Sequence, residues 1–180
     1  NRDKAIAESC LWTCGSMMAA ARHALQHGIA CSPSSGFHHA NYNFSSGFCT
    51  FNALALVAKT LLDEKVVDRV TLVDGDAHDP DGVRNIQQIK KIEGLDIVSF
   101  SDVPDGDFFE MMRRFLKPFR WQPVKERQLV LYQAGADAHQ DDPLNAGWLE
   151  TWQRKQRDEF MFHYAKMYGV PIVWNLAGGY

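Results

Sequence analysis

The stretch Arg69-Val70-Thr71-Leu72-Val73-Asp74-Gly75-Asp76-Ala77-His78 decides how the chain is read. It opens as a short apolar run rich in β-branched residues, which predicts a buried strand over 69–73. It then turns abruptly acidic, and the loop Asp74 to Gly82 holds a cluster of groups that can bind a metal or move a proton. In an extended segment, residues two apart point the same way, so Asp76 and His78 can face one ion with Asp74 behind or beside them. Carboxylate oxygen and imidazole nitrogen suit zinc, and Fe²⁺ suits the same donors. A catalytic zinc takes about three protein ligands and keeps one open position. A third ligand must therefore come from another loop. Taken alone, an acidic loop at a strand end is more often simply solvated.

Outward from this strand the same alternation repeats. A helix is predicted from Lys4 to His27, with Gly28 as its C-cap, then a strand at 29–31 and a polar loop from Ser32 to Gly47. A helix over 51–62 precedes the central strand. Beyond the acidic loop come a strand at 96–100, a helix at 107–119 and a strand at 128–133. The loop 134–147, a helix at 149–168 and a strand at 170–175 complete the pattern. No element is assigned between Gly82 and Asp96. Strands alternating with helices predict an α/β fold, three layers with a mostly parallel central sheet. In such sheets ligands bind outside the carboxyl ends of the strands. Four strand-end loops carry the chain's polar clusters: His38-His39, Asp74 to His78, Asp137 to His139, and Gly178-Gly179-Tyr180.

Each further cluster is modest alone. Gly36-Phe37-His38-His39-Ala40 reads as ligands or a proton-transfer pair, against chance adjacency. Gly135-Ala136-Asp137-Ala138-His139, followed by Asp142-Pro143-Leu144, puts an aspartate where a third ligand is needed. Asn175-Leu176-Ala177-Gly178-Gly179-Tyr180 is either a plain turn or a close backbone approach presenting a tyrosine.

Together, and in this order, these stretches resemble the motifs of the histone deacetylase and acetylpolyamine amidohydrolase family, which has the arginase-deacetylase fold. Gly47-Phe48-Cys49-Thr50-Phe51-Asn52 is similar to a further motif of that family. The resemblance implies zinc-dependent hydrolysis of N-acyl amides such as acetyl-lysine or acetylpolyamines. It implies Asp76, His78 and Asp137 as metal ligands, with zinc or Fe²⁺ bound. It implies His39 as general base and acid, His38 as an electrostatic aid, and Asp74 and Asp81 as the carboxylates that orient them. Tyr180 would stabilise the oxyanion. Gly47, Phe48 and Leu144 would line the substrate channel. A potassium ion would be held by Asp74, Asp76, His78, Ser99 and Phe100.

Two departures from the family pattern stand out. Asp79-Pro80 follows His78, where the family commonly has His or Tyr and then Gly, which puts the position of Asp81 in question. The region from Phe100 to Gly106 is short, where the family usually has a longer loop that supplies the facing tunnel aromatic; Phe108 or Phe109 is the candidate substitute, although helical placement favours reading both as core residues. These departures motivate a second reading, a catalytically degenerate metal-binding or interaction module. A nucleotide-binding domain ranks far below, because GxGxxG and GxxxxGK[ST] are both absent.

Composition bounds the rest. The 180 residues carry a formal net charge of −3, with 46% hydrophobic and 23% charged residues. This fits one domain spanning 1–180, with no basic run for nucleic acid and no apolar span for a membrane. Cys10, Cys14, Cys31 and Cys49 form no CxxC pair; Cys10 and Cys14 read as buried thiols on one helical face, and a cytoplasmic location is expected. The chain starts at Asn1 rather than Met and stops directly after a Gly-Gly turn, which suggests a fragment or a chain with segments left out. Oligomeric state is not readable from sequence.

Overall fold

The computed structural model describes residues 2–120 and 126–180. The apolar run that leads into the acidic loop forms the strand β2 (Arg69–Asp74), preceded in order by α1 (Arg2–His27), β1 (Ile29–Ser32) and α2 (Ala53–Asp63). After it come α3 (Asp81–Lys90), β3 (Leu95–Ser99), α4 (Phe108–Phe115), α5 (Lys117–Arg120), β4 (Gln128–Gly135), α6 (Thr151–Tyr168) and β5 (Ile172–Ala177). The five strands form one sheet in the order β1-β5-β4-β2-β3, and every pairing is parallel.

Alternation along the inner strands builds two cores. Val70 and Leu72 of β2, with Leu129 and Leu131 of β4, point to the side covered by α1, α2 and α3. Val73, Val130 and Tyr132 point to the opposite side, under α4, α5 and α6. This is the three-layer α/β arrangement expected from the sequence, and both sheet faces need cover because parallel sheets bury both.

The element bounds follow local chemistry. The α1 helix stops at Gly28, which takes φ 92° and donates its N–H to the Ala24 carbonyl at 2.7 Å. Its buried side, Cys10, Cys14, Met17, Ala21 and Ala24, repeats at helical spacing, and both of its thiols are buried. The predicted helix at 107–119 is two helices. Pro118 has no N–H to give to the turn before it, and the chain resets at Leu116. The helix α3 starts at Asp81, inside the expected acidic loop, and runs through the segment given no element to Lys90 in its last turn.

Among the described residues, no helix is long and apolar enough to cross a membrane. Phe108 is buried as expected, its ring tilted against that of Trp152 at 5.6 Å between centroids, whereas Phe109 is 85% exposed and belongs to neither core. Its position on the outer face of α4 overturns the expectation of burial.

Candidate metal centre

Side-by-side strands set the site. The β2 and β4 strands run parallel in register, Asp74 beside Gln133. Their carboxyl ends therefore release the Asp74–His78 loop and the Asp137 loop next to each other. There Asp76, His78 and Asp137 bring one ligand atom each to within 4.8 Å of one another. His78 Nδ1 lies 3.0 Å from Asp76 Oδ1 and 3.0 Å from Asp137 Oδ2. Ligands about 2.0–2.1 Å from a tetrahedral ion stand about 3.3 Å apart, so this spacing suits one.

The donor chemistry also fits a cation. Asp76 Oδ1 accepts the His78 backbone N–H at 3.0 Å, and Asp137 Oδ1 accepts that of Ala77 at 3.2 Å. Asp137 Oδ2 is buried and receives no well-directed hydrogen bond. An uncompensated buried carboxylate oxygen is costly, and a bound cation would compensate it. Burial and the neighbouring Asp76 charge push the Asp137 carboxyl up to about 7, so without a cation this pair holds a proton at acidic pH.

Two histidine–aspartate pairs stand beside the donors. His38 Nδ1 meets Asp74 Oδ2 at 2.8 Å, and both side chains are buried. Burial alone would lower the His38 pKa, but the charges of Asp74, Asp76 and Asp137 and the Asp74 hydrogen bond raise it to about 9. Burial pushes the Asp74 carboxyl up. His39 Nδ1 meets Asp81 Oδ1 at 2.5 Å. Burial would raise the Asp81 carboxyl, yet the hydrogen bonds from His39 and Asn41 hold it below the usual range. The unusual Asp79-Pro80 does not displace Asp81. Pro80 caps α3, Asp81 starts it, and the Asp79 charge is taken by Arg84 at 2.8 Å. The two histidine rings are 4.1 Å apart, and His39 is 5.9 Å from His78.

A cavity of about 480 Å³ opens over these groups, lined by His38, His39, Gly47, Phe48, Asp76 and Tyr180, among others. Tyr180 stands 6.5 Å from the His78 ring, centroid to centroid, and its N–H donates to Asp142 Oδ2 at 2.9 Å. Burial and the Asp76 and Asp137 charges raise its phenol pKa. Glycine is required behind it: a Cβ on Gly178 would stand 2.2 Å from Asp137 Oδ1. Phe48 is 95% exposed at the cavity mouth, and Leu144 is half exposed and not among the lining residues. Ser99 and Phe100 are buried at the end of β3, where Ser99 pairs in register with Asp74.

Two polar side chains hold this arrangement: Gln133, outside every motif, and Asn175, which the sequence places only at the head of the Gly-Gly-Tyr cluster. Gln133 Nε2 approaches Asp74 Oδ2 at 3.3 Å, and Asn175 Nδ2 donates to Gln133 Oε1 at 3.3 Å. Both lie inside strands, and their only sequence signal is a polar residue at the end of an apolar run.

A parallel α/β sheet with an Asp-His-Asp donor set and two histidine–aspartate pairs at its carboxyl end, one buried and one exposed, defines an α/β protein with a site suited to a divalent metal. The chain belongs to the histone deacetylase domain family, whose model matches residues 3–101 and 98–180. The two matched segments meet at the short region after Phe100. An uncharacterized protein of Picosynechococcus is 26% identical over 97% of this chain and 64% of its own length. Histone deacetylase 2 of Arabidopsis thaliana is 27% identical over 92% of this chain and 48% of its own. The fold matches the crystal structure of an acetylpolyamine aminohydrolase from Burkholderia pseudomallei with a TM-score of 0.75 at 21% identity, covering 96% of this chain and 58% of that one. The chain thus spans roughly half to two thirds of the length of these proteins.

Proposed function

We propose that the protein hydrolyses N-acyl amides of the acetyl-lysine or acetylpolyamine class, using a divalent metal held by Asp76, His78 and Asp137. The convergence of these three donors around the uncompensated Asp137 Oδ2 carries the reading. Zinc suits the donor set, and Fe²⁺ is the alternative. Such an ion, when bound, lowers the pKa of a water and polarises the acyl carbonyl.

The chain's own groups supply the remaining work. Asp81 accepts from His39 Nδ1, which fixes the tautomer and leaves Nε2 to take a proton from water and return one to the departing amine. His38, kept protonated by Asp74, adds positive charge beside the developing oxyanion. The Tyr180 phenol stays protonated at neutral pH and can donate to that oxyanion. Gly47 and Phe48 guide the slender acyl-bearing chain, and Leu144 would reach it only from outside the present cavity wall. Potassium bound by Asp74, Asp76, Ser99 and the carbonyls of His78 and Phe100 would steady the loop; the Asp74–Ser99 register supports this.

The test is turnover of acetyl-lysine peptide and acetylpolyamine by metal-replete, full-length protein, with Asp137→Ala, His78→Ala and His39→Ala alongside. Near one metal per chain, lost in the first two variants, with turnover lost in all three, supports the reading. Metal without turnover would favour a degenerate module, for which the 95% exposure of Phe48 speaks. Absence of metal after zinc is offered would overturn the metal reading.

A further inference from the structure

The largest fully buried side chain is Arg157, on the inner face of α6. Its guanidinium is not at the cavity and belongs to none of the motifs. Nη1 donates to the Gly75 carbonyl at 2.8 Å, and Nη2 donates to the Gly135 carbonyl at 3.0 Å. Gly75 stands between Asp74 and Asp76, and Gly135 stands two residues before Asp137. One guanidinium therefore bridges the two loops that between them carry all three metal donors.

The position has a backbone reason. The β2–β4 ladder ends at the pair Asp74–Gln133, extended by one bond from Gly75 N–H to the Gln133 carbonyl at 2.8 Å. Beyond it the ladder of strand hydrogen bonds stops while the two segments stay close, and carbonyls there need other donors. Arginine supplies two parallel N–H groups in a rigid fork, so it fixes the separation of the carbonyls as well as satisfying them. The fork is itself aimed. Nε donates to Asp158 Oδ1 at 2.9 Å, and the Tyr132 hydroxyl donates to the same oxygen. Asp158 thereby balances the buried charge and leaves the two Nη groups for the loops. The fit is close, since a Cβ on Gly75 would stand 2.9 Å from Nη1, and one on Gly135 would stand 2.3 Å from the Asp76 Cα.

We propose that Arg157 is a positioning residue for the metal centre: it sets the distance between the Asp76 and Asp137 loops and so the affinity for the ion. This rests on the metal reading above. Lysine keeps the charge but lacks the rigid planar fork that fixes the separation of two carbonyls, so Arg157→Lys is the decisive variant. Asp158→Asn releases the aim of the fork and serves if Arg157→Lys does not fold. Leu61→Ala, in the opposite core, controls for lost stability alone.

Zinc affinity would be measured by chelator competition on folded full-length protein, well below the thermal midpoint of each metal-free variant. Arg157→Lys is expected to lose about 10- to 100-fold in affinity and Asp158→Asn a smaller factor, as for other groups that orient metal ligands. Leu61→Ala is expected to lose stability and keep wild-type affinity. Wild-type affinity in Arg157→Lys, or equal losses in Arg157→Lys and Leu61→Ala, would overturn the proposal and leave the metal reading intact. A wild-type protein that takes up no zinc would overturn both.

Discussion

Asp137 meets three demands at once. It must reach the donor set, keep Oδ2 pointed at it, and sit against the turn that brings in Tyr180. The last of these explains Gly178, because any Cβ there would meet the Asp137 carboxylate at 2.2 Å. Gly178→Ala should therefore rotate or expel that carboxylate and weaken zinc binding by roughly 10- to 100-fold, read by chelator competition. Affinity equal to wild type would mean that the 178–180 turn is not held against the donor. The same residue gives a pH dependence. Without metal, the Asp137 carboxyl is raised from 3.8 to about 7 and the His38 imidazole from 6.5 to about 9. A raised folded pKa means the folded state holds the proton more tightly than the unfolded chain. The Asp137 contribution is full below 3.8 and lost as pH rises through about 7; that of His38 is full below 6.5 and lost through about 9. The thermal midpoint of metal-free protein should thus fall between about pH 5 and 9, while saturating zinc should flatten the lower half of the curve. A metal-free midpoint that rises over that range would contradict the buried arrangement of both groups.

Among the elements, α2 shows how a helix end can organise a loop. Asn52 caps it by accepting the Ala55 N–H at 3.0 Å, and its amide donates to the carbonyls of His38 at 3.3 Å and Ala40 at 3.0 Å. One side chain thus starts the helix and holds the turn carrying both histidines. Asn52→Ala should cost about 1–3 kcal/mol, as a lost cap plus buried carbonyls left without donors, measured by denaturant unfolding. A loss below about 0.5 kcal/mol would mean that the carbonyls find other partners. The α3 helix is the element that sequence reading left unassigned. Its apolar residues are sparse, and only Gly82 and Val83 are fully buried. Its start is set by Pro80 at the N-cap, half of the Asp79-Pro80 pair that looked like a threat to the site, with Asp81 in its first turn. Asp81 is well placed at that N-terminus, and the departure from the family pattern, with Pro80 at the N-cap and Asp79 paired with Arg84, fits the helix that presents Asp81 to His39.

For the whole molecule, the donors come from chain segments that only the sheet brings together, so metal binding should stabilise the fold as a unit. Zinc at about 100 times its dissociation constant should add roughly 2.7 kcal/mol and raise the thermal midpoint by about 5–11 °C. Asp137→Ala should show no such shift by calorimetry. An equal shift in that variant would place the stabilising ion elsewhere.

The strands, the alternation of layers and the four reactive loops were legible in the sequence because burial on both faces of a parallel sheet leaves apolar runs that end abruptly in polar loops. The split at Pro118 was legible in principle, since a lost N–H is a local fact. The strand order β1-β5-β4-β2-β3 was not, because local pattern is the same whichever strands become neighbours. That order decided the rest. It put Asp137 beside Asp76 and His78, and set Gln133 against Asp74. It also placed Arg157 between two glycine carbonyls. Residue types alone determined which chemistry the chain could perform. Hydrogen bonding between strands distant in sequence decided which of those residues meet, and at what distance.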